Sequence, residues 1–352
     1  MKEKEEQRLI LLSVLNEKTN SERAEIDEIL LGNVDWIEIA GIIMNHRLGG
    51  YFYNGCTKEQ LKKMPKELRK NIKMLVDGQS SNQEKMYKYI NELTEILENQ
   101  NVRYAGLKGI IYGSCLYTKG TRRSNDMDLL VYEDDLEQLD ILLSNVGYIQ
   151  ANKRDGKLVE ATRKEKLIQR MNYHDLIPYM KETDDGIIEI DINFLFDGKD
   201  NLIDSKVFDI GTRIYNGEQY SFRGLEIDTN LAFLICHFYR ESTEELWVNN
   251  KRNLFLYKIV DMVNYIRHFE KQMDVEKVVK LFEKLNIIEK ALYSFLMIKQ
   301  FYNIEFTNLC IDYISINYTD IYKKYANDKV FEQYFVDAFN LGRWLKYQIE
   351  VT

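Results

Sequence analysis

Proline and cysteine are scarce in this chain of 352 residues, and neither follows a pattern. Having only two prolines favours continuous secondary structure over linkers. Because no Cys-x-x-Cys pair occurs, the sequence gives no sign of a disulfide-rich module or of a zinc or haem site. We expect Cys56, Cys115, Cys236 and Cys310 to be reduced, mostly buried thiols of a cytoplasmic protein.

The sequence also has no long apolar run, no internal repeat and no low-complexity tract. Its first eight residues are polar, and the apolar stretch that follows, Leu9 to Leu15, is short, so we expect neither a signal peptide nor a membrane span. Acidic residues outnumber basic ones, 56 against 48, and the net charge of −8 argues against a general affinity for nucleic acid. An anionic substrate would have to be held by a few placed cations or by metal.

Helical periodicity dominates both ends of the chain, and strand patterns occur between them. The length allows two core-forming units, and a composition of 45% hydrophobic and 30% charged residues is typical of a globular protein. We predict an α+β fold, in which a small mixed-sheet core at 101–225 is flanked by an N-terminal helical region at 1–100 and a C-terminal helical domain at 226–352.

The densest group of candidate functional residues ends in two aspartates at the start of an apolar strand. Asp126 and Asp128 lead into Leu129-Leu130-Val131. Since successive strand residues point to opposite faces, both carboxylates share one face, about 7 Å apart at a rise of about 3.3 Å per residue. Two carboxylates so placed can converge on one hard divalent cation, although the same pattern describes an ordinary solvated strand start.

A third acid lies on another predicted strand, residues 187–194, where polar and apolar residues alternate. Its polar face carries Glu189, Asp191 and Asn193, while its isoleucines and Phe194 are expected in the core. Alternation alone would fit any half-exposed strand. The combination with the earlier pair is what suggests a shared site.

The order of these features resembles a largely uncharacterised bacterial nucleotidyltransferase family of the DNA polymerase beta superfamily. The resemblance rests on Leu107-Lys108-Gly109, on Arg122, on the block Asp126-Met127-Asp128-Leu129-Leu130-Val131 and on the strand with Asp191. It extends over nearly the whole chain, but only the block from Lys-Gly to Asp-x-Asp is specific. The family commonly has His-Trp after the third acid, where this chain has Asn193-Phe194, so no role of that histidine is carried over.

The resemblance implies a Mg²⁺-dependent enzyme that moves a nucleoside monophosphate from an NTP to an acceptor and releases pyrophosphate. Asp126, Asp128 and Asp191 would be the catalytic residues and the ligands of two Mg²⁺ ions, with Mn²⁺ as an alternative and ATP as the expected donor. Asp191 would also take or orient the acceptor's proton. The residues implied in nucleotide binding are Lys108, Gly109, Arg122, Arg123 and Ser124.

Two short motifs compete for the phosphate-binding turn. Lys108-Gly109 follows a predicted strand at 102–107 and opens a helix, whose first amides suit an anion. Gly113-Ser114 has the spacing of the superfamily's more usual Gly-Ser turn, but the segment before it is too short for a strand. We favour Lys108-Gly109, which places Gly113 and Ser114 inside the helix.

Several charged residues nearby also have purely structural interpretations. Arg122 and Arg123 could form surface ion pairs worth under about 1 kcal/mol, and only the resemblance favours Arg122 for phosphate contact. The acids at 133–135 are typical of a helix N-terminus and are interpreted as caps, not as metal ligands. The basic run at 163–170 is interpreted as a solvated face.

Two polar residues of the predicted C-terminal helices have mainly apolar neighbours. His237 is interpreted as a packed helical histidine and not as a base. Asp261 is interpreted as a buried partner in a hydrogen bond between helices. Neither is added to the candidate site.

Three functions are compatible with these residues. The first is an active nucleotidyltransferase whose acceptor is a small molecule, a peptide or protein, or an RNA end. The second is a nucleotidyltransferase fold without turnover, which binds nucleotides or proteins. The third is a toxin-type enzyme that modifies tRNA, which would need a local basic groove. The presence of all three aspartates favours the first.

Overall fold

The computed structural model describes residues 4–198, 207–325 and 329–342, and within them the chain forms eighteen α-helices and eight β-strands. The helices are α1 Glu5–Ser13, α2 Asn20–Ile29, α3 Trp36–Asn45, α4 Gly49–Gly55, α5 Lys58–Lys63, α6 Lys66–Glu98, α7 Lys108–Cys115, α8 Leu136–Asn145, α9 Arg163–Asn172, α10 Val207–Ile210, α11 Ile227–Thr243, α12 Glu245–Asn249, α13 Tyr257–Phe269, α14 Val275–Lys284, α15 Ile288–Phe301, α16 Glu305–Asn317, α17 Thr319–Tyr325 and α18 Val330–Gly342. The strands are β1 Tyr104–Gly106, β2 Met127–Val131, β3 Ile149–Arg154, β4 Lys157–Glu160, β5 Tyr179–Thr183, β6 Gly186–Asn193, β7 Thr212–Asn216 and β8 Ser221–Leu225.

The chain separates into two compact units. Unit 1 comprises Met1–Ser80, Gly120–Arg123 and Leu234–Thr352, and unit 2 comprises Ser81–Lys119 and Ser124–Phe233. Unit 1 therefore contains most of the predicted N-terminal helical region and most of the predicted C-terminal helical domain, while residues 81–100 and 226–233 belong to unit 2. The last ten residues of the predicted C-terminal domain, 343–352, lie outside the described residues.

Within its described residues, unit 2 is built on a mixed sheet of eight strands in the order β4-β3-β5-β6-β2-β1-β8-β7. The central strand β2 pairs antiparallel with β1 and parallel with β6. The edge strands β4 and β7 each form an antiparallel hairpin with their neighbour. The predicted α+β class with a mixed sheet is confirmed.

One face of this sheet is packed against helices and forms the core of unit 2. Alternate residues of β2 and β6 point into it, together with apolar residues of α6 and α8. Met127, Leu129 and Ile190 have no exposed surface, which stabilises the pair of strands by about 1.5 to 3 kcal/mol per large side chain. Because the period is two, the carboxylates of Asp128 and Asp191 must lie on the opposite face.

The acids at 133–135 lie at the N-terminus that leads into α8, as predicted, and Asp135 is the N-cap residue of that helix. They form a 3₁₀ turn, and the side chain of Asp135 makes no capping hydrogen bond. It accepts hydrogen bonds from the backbone N–H and the guanidinium of Arg103 instead, at 2.8 to 2.9 Å. The two charge-assisted hydrogen bonds from the guanidinium stabilise the carboxylate more than a single hydrogen bond from a helix N–H would.

Unit 1 is helical in its described residues and joins the two ends of the chain. His46, which follows α3 and is fully buried, donates from Nε2 to the carbonyl of Ala338 in α18 at 2.7 Å. Its Nδ1 accepts from the backbone N–H of Leu256 at 3.3 Å, so both ring nitrogens are used. Burial lowers the pKa of His46 to about 4, which keeps the ring neutral.

None of the helices in the described part of the chain combines the length and the apolar character that a membrane crossing requires.

Candidate active site

Two of the three predicted catalytic acids are direct neighbours on adjacent strands of unit 2. β2 and β6 run parallel, and their register places Asp128 opposite Asp191. Asp128 is buried, with 8% of its surface exposed, and Asp126 is half-buried one residue before β2 begins. The acidic site, as we call Asp126, Asp128 and Asp191 with Lys108, is thus positioned by backbone hydrogen bonding between strands and not by a loop.

Lys108 supplies a cation to this group. Its ammonium lies 3.0 Å from Oδ1 of Asp128, and both side chains are largely buried. The backbone N–H of Leu107, one residue earlier, donates to the carbonyl of Asp128 at 2.9 Å, which ties the start of α7 to β2. Lys108 has φ +40°, a left-handed backbone conformation that is costly for a residue with a side chain and is often found at functional sites.

The carboxyl of Asp191 is strongly perturbed. Burial, followed by repulsion from the carboxylates of Asp128 and Asp126, raises its pKa from 3.8 to about 8. Lys108 acts in the opposite direction but is not sufficient to offset them. Asp128 and Asp126 are therefore both close enough to Asp191 for their charges to act on its carboxyl.

The remaining polar residues of β6 are engaged elsewhere. Glu189 accepts from the ammonium of Lys153 at 2.6 Å, towards the β3 edge of the sheet. The amide Nδ2 of Asn193 donates to the carbonyl of Leu129 at 3.2 Å and so fastens β6 to β2. These contacts leave Asp191 as the residue of this strand that faces the acidic site.

The donor set suits a hard divalent cation. All three acids offer carboxylate oxygens, the ligands that Mg²⁺ and Mn²⁺ prefer, and their mutual repulsion is what a bound cation relieves. Among the described residues, no group of three or more His, Cys, Asp or Glu side chains is already gathered closely enough to hold a metal ion.

The helix start at Lys108 agrees with the preferred phosphate turn. α7 begins at Lys108, and Gly109 is half-buried in its first turn. Gly113 and Ser114 lie inside α7 and are explained by packing. A side chain at Gly113 would come within 2.5 Å of the Tyr220 hydroxyl, and Ser114 donates to the carbonyl of Ile111 at 2.9 Å.

Arg122 and Arg123 belong to unit 1, where Arg122 has a protein partner. Its Nε donates to Oδ2 of Asp261 at 2.8 Å, and the Tyr51 hydroxyl donates to Oδ1 of the same carboxylate at 2.7 Å. Asp261 thus links α13 to α4, which confirms its interpretation as a buried partner between helices. The predicted contact of Arg122, Arg123 and the half-buried Ser124 with phosphate stays a prediction.

Replacing Asp261 by asparagine should destabilise the protein by about 3 kcal/mol, because a buried charge pair loses one partner. Tyr51→Phe should cost less, about 1 kcal/mol, since it removes one neutral donor. Urea unfolding would measure both, with the exposed Asp320→Asn in the same unit as the matched control. Equal stability of Asp261→Asn and the wild type would show that Arg122 does not depend on this carboxylate.

His237 is not part of the acidic site and has local partners. In unit 1, its Nε2 lies 3.3 Å from Glu241, and Lys258 approaches the same glutamate oxygen at 2.8 Å. The interpretation of His237 as a packed helical residue agrees with these contacts.

Sequence reasoning did not foresee the pairing of Lys108 with Asp128, because no local pattern reports a contact across twenty positions.

Comparison with known proteins identifies a family. A family model described as an uncharacterised nucleotidyltransferase matches residues 32–303. Among solved structures, the chain is similar to an antigenic nucleotidyltransferase-like protein from Paracoccidioides brasiliensis, with 12% identity over 55% of this chain and 91% of that one. The TM-score of 0.29 is too low for this likeness to support a conclusion. No curated protein matches the chain.

Proposed function

The chain belongs to this uncharacterised nucleotidyltransferase family, and we propose that it transfers a nucleoside monophosphate from an NTP, with ATP as the expected donor, to an acceptor. Pyrophosphate would be the second product. Asp126, Asp128 and Asp191 would hold the divalent cations that the reaction needs.

The observation that carries this proposal is the in-register pairing of Asp128 with Asp191 on two parallel strands. A buried carboxyl such as that of Asp191, whose pKa is raised by burial and by two neighbouring carboxylates, is costly in a folded protein unless a cation or a reaction uses it. An all-carboxylate site beside a helix start is suited to a metal-bound triphosphate. This support is chemical and geometric, and it leaves the acceptor open.

Each residue of the acidic site has a separate task in the proposed reaction. Bound Mg²⁺ would neutralise the triphosphate and activate the attacking oxygen. Asp191, whose raised pKa makes it a good proton acceptor near neutral pH, would take the acceptor's proton or orient it. Lys108 and the Gly109 amide would bind phosphate oxygens, where negative charge develops as pyrophosphate leaves.

Incubation with each α-labelled NTP, a divalent cation and fractions of a cell lysate would test the proposal. We expect label to move to an acceptor and pyrophosphate to appear, with both lost in Asp126→Ala and Asp128→Ala. Equal labelling by the double variant would contradict enzymatic transfer at this site. Binding of NTP without any transfer would support the alternative of a nucleotide-binding module without turnover.

Lys108→Met should change two binding reactions in opposite directions. Without the competing ammonium on Asp128, Mn²⁺ alone should bind roughly tenfold more tightly, which corresponds to about 1.4 kcal/mol. Binding of Mg²⁺-ATP should weaken by a similar factor, because a phosphate contact is lost. Calorimetric titration of both ligands would measure this, with Lys119→Met as the control, since Lys119 pairs with the exposed Glu84. Weaker Mn²⁺ binding would contradict the competition.

A further inference from the structure

Helix α9 of unit 2 has no buried side chain. Its apolar residues are well exposed, Leu167 by 59%, Ile168 by 47% and Met171 by 65%, and Tyr173 directly after it by 54%. We call these four residues the docking face. An amphipathic helix normally packs its apolar side on a core, and one of ten residues is marginal without such packing.

Local contacts maintain the helix in place of core packing. Thr162 and Glu165 form a reciprocal capping box at its start, and Arg154 pairs with Glu165 at 2.6 Å. Neither contact covers the docking face. The helix is therefore held in place by these contacts, and its apolar side remains exposed to a binding partner.

The docking face is anchored to the two strands of the acidic site. Gln169 donates to Asp175 at 2.8 Å, and Asp175 forms a β-bridge with Asn193 at the end of β6. Asn193 in turn donates to the carbonyl of Leu129 in β2. A partner held on α9 would thus be held by the strands that carry Asp128 and Asp191.

On α9 itself, four basic side chains outnumber the single acidic one, Glu165. Arg163 and Lys164 are exposed at the start of α9. Lys166 and Arg170 continue the series and pair with Glu160 and Glu133. A complementary partner carries carboxylates around an apolar surface.

These properties favour a protein over RNA or lipid. Tyr173 is the one aromatic ring of the docking face, whereas single-stranded RNA is usually held by successive bases that stack on several aromatic rings. The chain's net charge of −8 also opposes RNA. Three aliphatic side chains on a ten-residue helix are few compared with helices that bind membranes, many of which run to 20–30 residues.

We propose that α9 is the docking helix for the acceptor and that the acceptor is a protein with an apolar groove rimmed by acidic residues. The inference rests on the proposed function, because it names the substrate class of that reaction. A side-chain oxygen of the bound protein would form a bond to the α-phosphorus, and the bond from that phosphorus to pyrophosphate would break. The proton of the attacking group would pass to Asp191, and pyrophosphate would leave.

The test uses the full chain with α-labelled ATP, Mg²⁺ and cell lysate, and compares the wild type with the double variant Leu167→Glu/Met171→Glu. We expect labelled material that is destroyed by protease and resists ribonuclease, and we expect the double variant to produce at least tenfold less of it. Its melting temperature and its affinity for Mg²⁺-ATP should match the wild type, since both changed side chains are exposed. The matched control is Leu246→Glu/Val248→Glu, which changes two exposed apolar residues of α12 in unit 1 and should label normally.

A second variant tests the charged rim. Arg163→Glu/Lys164→Glu should also reduce protein labelling, and 0.5 M salt should produce a similar reduction in the wild type. Undiminished labelling by both double variants overturns the proposal.

Other outcomes separate this inference from the proposed function. Label found only in RNA or in small molecules, or the absence of any labelled protein while ATP still binds, overturns the docking proposal and leaves the nucleotide site in place. If the wild type floats with anionic vesicles and Leu167→Glu/Met171→Glu does not, the docking face binds lipid. That result also overturns the docking proposal. Failure of the wild type to bind any NTP overturns both.

Discussion

Asp128→Asn should lower the rate of nucleotidyl transfer by at least about a thousandfold, or about 4 kcal/mol of transition-state stabilisation. Asp128 is the residue through which the other members of the acidic site are connected. Its carboxylate contacts Lys108 at 3.0 Å, and its backbone lies opposite Asp191. Asparagine keeps the shape but loses the charge, so a bound cation would lose one of its three proposed carboxylate ligands.

Pyrophosphate release in the presence of Mg²⁺ and the acceptor fraction would measure this loss. The matched control is Asp134→Asn, an exposed acid a few residues further along the chain that should keep full activity. Circular dichroism and thermal melting should show that both variants are folded. Retention of more than about a tenth of the wild-type rate by Asp128→Asn would contradict metal-assisted transfer at this site.

Asp191→Asn should abolish the pH dependence of stability that the carboxyl of Asp191 causes in the metal-free protein. Folding raises the pKa of Asp191 from its ordinary value of 3.8 to about 8, so the native state favours the protonated form of this carboxyl. Below about pH 4 this carboxyl is protonated in both states and the protein keeps its full stability. The free energy of unfolding then declines as the pH rises, and the loss is complete above about pH 8. At about 1.4 kcal/mol per unit of pKa, the change is on the order of 5 kcal/mol.

Asparagine at this position carries no charge at any of these pH values. The variant should therefore resemble the wild type at pH 4 and be clearly more stable than it at pH 8. Urea unfolding in EDTA at pH 4, 6 and 8 would measure the difference, with Asp184→Asn in the exposed turn before β6 as the control. Mg²⁺ at pH 8 should stabilise the wild type more than the variant. Parallel pH profiles of wild type and Asp191→Asn would rule out this perturbed carboxyl.

Much of the acidic site could be predicted from the sequence because its parts are local. Strand alternation alone placed Met127 and Leu129 in the core and Asp128 on the other face. The same reasoning worked for β6, where the isoleucines are buried and Asp191 faces away from them. A helix after the Lys-Gly pair was also predicted, although α7 begins at Lys108, two residues before the expected start near Ile110.

The parts that sequence reasoning missed depend on distant contacts. The register of β2 against β6 joins residues more than sixty positions apart, and no pattern within either strand specifies it. Arg122 is held by Asp261 across 139 positions, and Asp135 by Arg103 across 32. The hairpin of β7 and β8 was not predicted either, because its strands are short and partly polar.

The parallel pairing of β2 with β6 has a consequence for synthesis of the protein. Before β6 has been synthesised, β2 can pair with β1 but not with β6, and its other edge of N–H and C=O groups is exposed. Such an edge beside Leu129 and Val131 is a template for misassembly between nascent chains. The emergence of β6 covers this edge of β2 and places Asp191 beside Asp128 in one step, so the nascent chain acquires the complete acid trio only when this edge is also protected.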